Sequence, residues 1–260
     1  MILLMIKINI FARKWYGWSY SEIGKFNIWF NGYIFKKNID SFFNRGLELL
    51  SNDETKNSEF DKWLKNTRGH FSIIITDGEK LICSVDHVRS MPLFYSLKSN
   101  ELNVGNYAPD ISNAIRNNHE SYNKQAALEI SMSGYTIGRK TLHPEISQLC
   151  AGEYLLIRNG RLQERQYYRY SPWMERKSTK SKLKEELTSV SRQVLEDIVE
   201  HANGRQIVIP LSAGNDSRFI ASGMKELGVK DVYCFSYGIN NNFEVKTAKR
   251  VSEHLEYSWQ

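Results

Sequence analysis

The run Ile207-Val208-Ile209-Pro210-Leu211-Ser212-Ala213-Gly214-Asn215-Asp216-Ser217-Arg218 places hydroxyl, amide and carboxylate side chains directly after a short apolar stretch. Such a stretch reads as a buried strand, and the small polar residues after it read as a turn opening a helix that extends to about Gly228. Amides from Ala213 to Ser217 then converge at a helix N-terminus, where unpaired N–H groups and the helix dipole favour a phosphate. Asp216 acquires a task in that setting. A carboxylate among phosphate-facing amides is repelled unless it holds Mg2+, and the Ser217 hydroxyl beside it can donate to a phosphate oxygen. The alternative is an ordinary strand-turn-helix joint, with Ser and Asp as caps and Gly214 supplying a positive φ.

The elements that must position this loop follow from hydrophobic periodicity. A helix is expected from Lys182 to about Ala202, with Leu183, Leu187, Val190, Val194, Leu195 and Ile198 forming a core-facing stripe. Strand 206–211, helix 217–227, strand 231–236 and helix 243–255 then alternate, which implies a parallel sheet with right-handed crossovers. Residues 256–260 fall where a third strand should start, so the sheet is expected to own two full strands, with 256–260 mobile or recruited as an edge strand. Residues 1–170 carry short β-type runs at Ile2–Phe11, Asn27–Phe35, Gly69–Thr76, Lys80–Val85, Leu93–Leu97, Glu101–Gly105 and Glu153–Arg158. Helices are expected at Ile39–Leu50, capped by Asp40 or Ser41, at Ser58–Asn66 and at Lys124–Ser131. Turns are signed by Thr76-Asp77-Gly78 and by Arg158-Asn159-Gly160-Arg161. The polar stretch 171–181 reads as a linker.

Bulk properties narrow the function classes. With 260 residues the chain has room for one large or two modest domains, and 41% hydrophobic with 25% charged residues is a globular composition. The 35 Lys and Arg exceed the 29 Asp and Glu to give a net charge of +6, yet the bases are interleaved with acids, as from Lys182 to Glu186. That pattern reads as solvated helix faces, with no nucleic-acid stripe, and the surplus suits nucleotide phosphates. Cys83, Cys150 and Cys234 lack CxxC spacing and fit buried thiols of a reducing, cytoplasmic setting. His70, His87, His143 and His201 share no ligand spacing, and no Ser lies in a GxSxG elbow, which removes zinc and Ser-His-Asp chemistry from the reading. The apolar start Met1–Ile6 is interrupted by Lys7 and lacks a cleavage site, so it reads as a strand, and no run approaches a membrane span.

The loop 212–217 resembles the SGGxDS pyrophosphate loop of the ATP-pyrophosphatase superfamily. Val232-Tyr233-Cys234-Phe235-Ser236-Tyr237-Gly238, followed by Phe243-Glu244-Val245-Lys246-Thr247-Ala248, is similar to asparagine synthetase in particular. Ala213 stands where that family has its first Gly, at a cost of about 1 kcal/mol if the position needs a left-handed backbone. Four upstream stretches resemble, in order and spacing, the class II glutamine amidotransferase domain. Phe30-Asn31-Gly32-Tyr33-Ile34-Phe35 is similar to its NGxIYN segment, and Gly69–Asp77 to its GxFAFxxxD strand. Val85-Asp86-His87-Val88-Arg89-Ser90-Met91-Pro92-Leu93-Phe94-Tyr95 is similar to RDxxGxxPLYY, and His143–Tyr154 to the segment ending in PPGH.

The resemblance implies an α+β amidotransferase-like (Ntn-type) sandwich over 1–170, a linker at 171–181, and over 182–260 a truncated α/β parallel-sheet domain of the adenine nucleotide α-hydrolase-like kind. In the family the nucleophile is a cysteine exposed by Met removal, with its own α-amine, of pKa about 8, as base. Here position 2 is Ile, Cys83 is expected mid-strand and Cys150 before a turn. Asn31 and Gly32 would be a vestigial oxyanion hole, an Asn-Gly turn being the simpler reading. The implied nucleotide site comprises Leu211, Ser212, Gly214, Asn215, Asp216, Ser217, Tyr237 and Gly238, with Asp216 on the metal and Glu244 organising the substrate side. ATP and Mg2+ are the expected cofactors, and the expected activity is that of an asparagine synthase-related, ATP-dependent amide-forming ligase joining a small carboxylate to ammonia or an amine. The family continues through a GGDE-type acidic loop that this sequence lacks. An incomplete ligase needing a complementary chain is therefore expected, the alternative being an inactive nucleotide-binding or assembly module.

Overall fold

In the computed structural model, which describes residues 5–14, 17–115, 122–173, 176–239 and 242–260, strand formation is clearest where both sheet faces are covered. The chain divides into two units, Met1–Pro172 and Trp173–Gln260. In the first, β1 (Lys7–Phe11), β2 (Ser19–Ile23) and β3 (Phe26–Ile34) precede α1 (Ile39–Ser51) and α2 (Asn57–Lys65). There follow β4 (Gly69–Thr76), β5 (Leu81–Val85), β6 (Phe94–Lys98), β7 (Glu101–Gly105), α3 (Ala108–Ala114), α4 (Lys124–Ser133), β8 (Ser147–Gln148), β9 (Glu153–Arg158) and β10 (Arg161–Gln166). One sheet has the order β10-β9-β5-β4-β3-β2 and the other β1-β7-β6-β8.

Strand periodicity divides β4 between two cores. Phe71, Ile73 and Ile75 join Phe42, Leu50, Phe60 and Leu64 of α1 and α2, whereas Ile74 joins Cys83, Val85, Leu102 and Val104 towards the second sheet. Helices α1 and α2 thus cover one face of the larger sheet and the second sheet covers the other, with α3 packed against β6 and β7 of that second sheet. Burial on both faces is why β4 and β5 read as continuous apolar runs. The missed strands β2 and β10 are edge strands of the larger sheet with polar sequences, SYSEI and RLQERQ, that give no apolar signal. Asn38 caps α1, accepting from the Asp40 amide at 2.6 Å, where Asp40 or Ser41 had been expected. The turn joining β9 to β10 is as expected, with Asn159 at φ 51° and Gly160 at φ 66° and Arg158 paired to Arg161.

The second unit runs α5 (Lys180–Ala202), β11 (Ile207–Pro210), α6 (Asn215–Glu226), β12 (Val232–Phe235), α7 (Phe243–His254) and β13 (Ser258–Trp259). Its strands are parallel in the order β11-β12-β13. Residues 258–259 thus supply a third, two-residue strand. Both crossovers step the same way, and right-handedness then places α6 and α7 on one face. Ile209, Val232 and Cys234 pack there with Ala221, Met224 and Ala248.

The expected core stripe of α5 is corrected. Leu195 is buried and Ile198 packs beside it, but Leu183, Leu187, Val190 and Val194 are 44%, 68%, 62% and 46% exposed. Helical spacing identifies a face without supplying the surface that covers it, and among the described residues α6 packs on α5 at Leu195. That approach is close: a Cβ on Gly223 would lie 2.4 Å from Leu195 Cδ1.

Candidate functional site

The loop at 212–217 is ordered largely by its own hydroxyls. Ser217 Oγ accepts from the Ser212 amide at 3.1 Å and lies 2.9 Å from Ser212 Oγ, which itself accepts from the Gly214 amide at 3.1 Å. Gly214 is the N-cap residue of α6. Its φ of −69° is not the positive value expected of it, and Ala213 likewise stays outside the left-handed region. The chain enters the helix through an extended cap, so neither position requires glycine on conformational grounds. Ala213→Gly is therefore expected to leave MgATP affinity unchanged within about twofold by isothermal titration, since the backbone entropy it adds is small.

The first-turn amides at Asn215, Asp216 and Ser217 have no carbonyl one turn earlier to bond, which is the donor set an anion needs. Asp216 is exposed in that turn. Arg218 folds back on the cap, donating to the Gly214 carbonyl at 3.1 Å and to Asn215 Oδ1 at 2.6 Å, and adds positive charge beside the loop. Glu244, in the first turn of α7, accepts from the Ala213 amide at 2.7 Å. A carboxylate thus already holds one of the loop amides, a contact that spacing alone did not reveal.

The other expected ligand residues are less closely gathered. Leu211 is buried, its amide bonded to the Phe235 carbonyl at 2.8 Å and its own carbonyl accepting from Ser236 Oγ, so it supports the loop from beneath. Tyr237 is 84% exposed and Gly238 adopts φ 132° in the segment after β12. Phosphate fits the loop by its donors. Among the described residues no three His, Cys, Asp or Glu side chains converge on a metal position, so Mg2+ here would share Asp216 with phosphate oxygens.

In the first unit Asn31 and Gly32 are not a turn. They lie within β3, opposite Ser72 and Phe71 of β4. Gly32 has φ 109°, and a Cβ there would sit 1.9 Å from the His70 carbonyl oxygen. The glycine is required by close backbone approach. Ile2 lies outside the described residues. Cys83 is fully buried in β5, and burial pushes its thiol up to about 12. Burial also raises the Cys150 thiol, with the Glu153 carboxylate adding to it. A thiol so disfavoured as thiolate is a poor nucleophile.

Asp86 entered the sequence reading only as part of the Val85–Tyr95 stretch, with no role of its own. It is buried, and its carboxylate accepts from the amides of Phe71 at 3.0 Å, Val88 at 2.8 Å and Ser90 at 3.0 Å. An acidic residue ending an apolar strand was the available signal.

A two-sheet α/β layer covered by helices, with a glycine-dependent close approach of β3 and β4, defines the class of the first unit. The chain belongs to the glutamine amidotransferase domain family, whose model matches residues 20–168. Among solved structures, the chain is similar to one described as the allosteric regulatory enzyme of purine biosynthesis, at 10% identity and a TM-score of 0.31 over 92% of this chain and 61% of that one. It is similar also to glutamine phosphoribosylpyrophosphate amidotransferase from B. subtilis complexed with ADP and GMP, at 13% identity and a TM-score of 0.29 over 92% of this chain and 46% of that one. The chain thus spans less than two thirds of either, and likenesses this low carry nothing over. No curated protein matches it.

Proposed function

We propose that this is an asparagine synthase-related protein in which a class II, Ntn-type amidotransferase-like domain precedes part of an ATP-pyrophosphatase domain, acting as an ATP-dependent amide-forming ligase. The observation that carries the reading is the helix N-terminus at 215–217, with the exposed Asp216 carboxylate in its first turn. Bound MgATP supplies an α-phosphorus that a carboxylate oxygen attacks, with pyrophosphate leaving, after which ammonia or an amine displaces AMP from the acyl carbon. The chain's own residues orient this. The amides of 215–217 and Arg218 hold phosphate oxygens, Asp216 shares the cation, and Tyr237 offers an exposed ring to the base. Glu244 sets the Ala213 amide and faces the same space. The test is pyrophosphate release from MgATP with a panel of small carboxylates and ammonium: carboxylate-dependent release supports the ligase, and none with any carboxylate counts against it.

One observation favours the second reading, a nucleotide-binding or assembly module completed by a partner chain. The exposed apolar stripe of α5, Leu183, Leu187, Val190 and Val194, offers a surface that another polypeptide could cover. MgATP binding without turnover, with turnover restored by a complementary chain, is the outcome that reading expects.

Nitrogen would arrive as free ammonia or an amine. Cys83 is buried and the Cys150 thiol is raised by its surroundings, so the purified chain is expected to release no glutamate from glutamine. Glutamate release abolished by Cys83→Ser or Cys150→Ser would overturn this.

A further inference from the structure

A cavity of about 470 Å³ opens in the first unit, between β6, β8 and the segment after α4, and neither Asn31 nor Gly32 lines it. Its walls include the apolar Phe94, Ile130 and Leu142, the half-polar Tyr135, and Cys150 and Arg89. Volume and lining are those of a pocket for a small organic molecule.

Arg89 is anomalous in this wall on two independent counts. Its backbone lies at φ 59°, a region in which a long side chain is strained. The strain is imposed by the loop, because Asp86 holds the amides of Val88 and Ser90 on either side and the Asp86 carbonyl accepts from the Arg89 amide at 3.2 Å. The second count is charge. The guanidinium donates to Gln148 Oε1 at 2.6 Å, its Nε is buried with no acceptor, and among the described residues no carboxylate pairs with it. Burial accordingly lowers its pKa. The guanidinium also lies over the Phe94 ring, 6.0 Å from its centroid, so a half-buried cation rests on a neutral amide and an aromatic face, a setting that a joining anion would stabilise.

The neighbouring charges are already spoken for. Lys140 pairs with Glu129 at 2.5 Å, and Arg139 pairs with Glu153 at 3.0 Å and with Glu164. Gln148 is fixed as well, its Nε2 donating to Thr136 Oγ1 at 3.0 Å and to the Gly138 carbonyl at 2.9 Å. Among the described residues, one positive charge with no carboxylate partner therefore faces a cavity of mixed lining, apolar at Phe94, Ile130 and Leu142, which matches a single negative charge on a body with an apolar face. A phosphate dianion would leave one charge unmatched beside Glu129 and Glu153.

We propose that this cavity binds a small organic monocarboxylate with an apolar or aromatic body, its carboxylate accepting hydrogen bonds from the Arg89 guanidinium. The ligand would offset both the buried charge and the strained backbone that positions it.

The test uses the full chain, with sodium benzoate as probe and benzamide and inorganic phosphate as comparisons, read by saturable chemical-shift changes in NMR spectra. Benzoate should bind at least tenfold more tightly than benzamide or phosphate. Arg89→Gly should weaken benzoate at least tenfold while keeping the melting temperature equal or higher, because glycine accepts the backbone without strain and no buried charge remains. Arg89→Lys should retain part of the affinity. The proposal fails if the parent shows no saturable benzoate binding, if benzamide or phosphate binds as tightly, or if Arg89→Gly binds benzoate within twofold of the parent. A clear fall in the melting temperature of Arg89→Gly would also overturn it, since the guanidinium would then be a structural strut.

Discussion

Gly32→Ala is expected to destabilise the first unit by about 3 kcal/mol or more, combining overpacking with a strained backbone. The geometry leaves little room for relief, because the clashing atom is the His70 carbonyl oxygen, 1.9 Å from where the new Cβ would stand, and not the end of a flexible side chain. Moving it means parting β3 from β4, which pair over eight residues from Asn27 to Ile34. Their buried faces, Ile28, Phe30, Phe71 and Ile73, tie that pair to the helices α1 and α2. A melting temperature lower by on the order of 10 °C follows for a unit of this size. Thermal unfolding followed by circular dichroism measures it, with Gly78→Ala as control. Gly78 also has positive φ but has nothing within 4 Å of an added Cβ, so its cost is the backbone strain alone. Equal melting temperatures for the two variants would show that close approach is not what Gly32 serves.

Much of the architecture was legible because burial writes itself into the sequence. The continuous apolar runs at Gly69–Thr76 and Leu81–Val85 lie where both sheet faces are covered, and both were read as strands. Edge strands escaped for the opposite reason: among the described residues β2 pairs only with β3 and exposes every side chain. The α5 stripe was read as core because spacing reports which residues share a face and is silent on whether anything lies against it. In the candidate site, the strand, loop and helix at 207–226 followed from an apolar run ending in small polar residues. Its internal wiring did not, since the Ser217 to Ser212 bond and the Glu244 carboxylate on the Ala213 amide depend on two helices meeting one loop. Asn31-Gly32 lies inside the strand expected over Asn27–Phe35; the alternative turn reading rested on how common the dipeptide is in turns, whereas the positive φ of Gly32 serves a close strand pairing. The Asp86 carboxylate and the Arg89 guanidinium are similar cases, their importance arising from backbone amides and a cavity wall brought together by folding.

In the proposed ligase the loop at 212–217 holds the phosphates of MgATP, with cation and amides sharing their charge. Asp216→Asn keeps the size and polarity of the side chain, and the residue is exposed in the first turn of α6, so the fold should be unaffected. What it removes is the negative charge that recruits Mg2+, leaving the amides of 215–217 and Arg218 to hold phosphate alone. Affinity for MgATP should therefore fall at least tenfold, whereas affinity for ATP in excess chelator should change little or rise. Ser217→Ala is a less clean probe, because it also strips the acceptor from the Ser212 amide. Isothermal titration of MgATP into the parent chain and Asp216→Asn is the direct measurement. Saturable binding to the parent, weakened at least tenfold in the variant, is the predicted result; equal affinity in the two would mean that the loop is only a helix cap and would contradict the ligase reading.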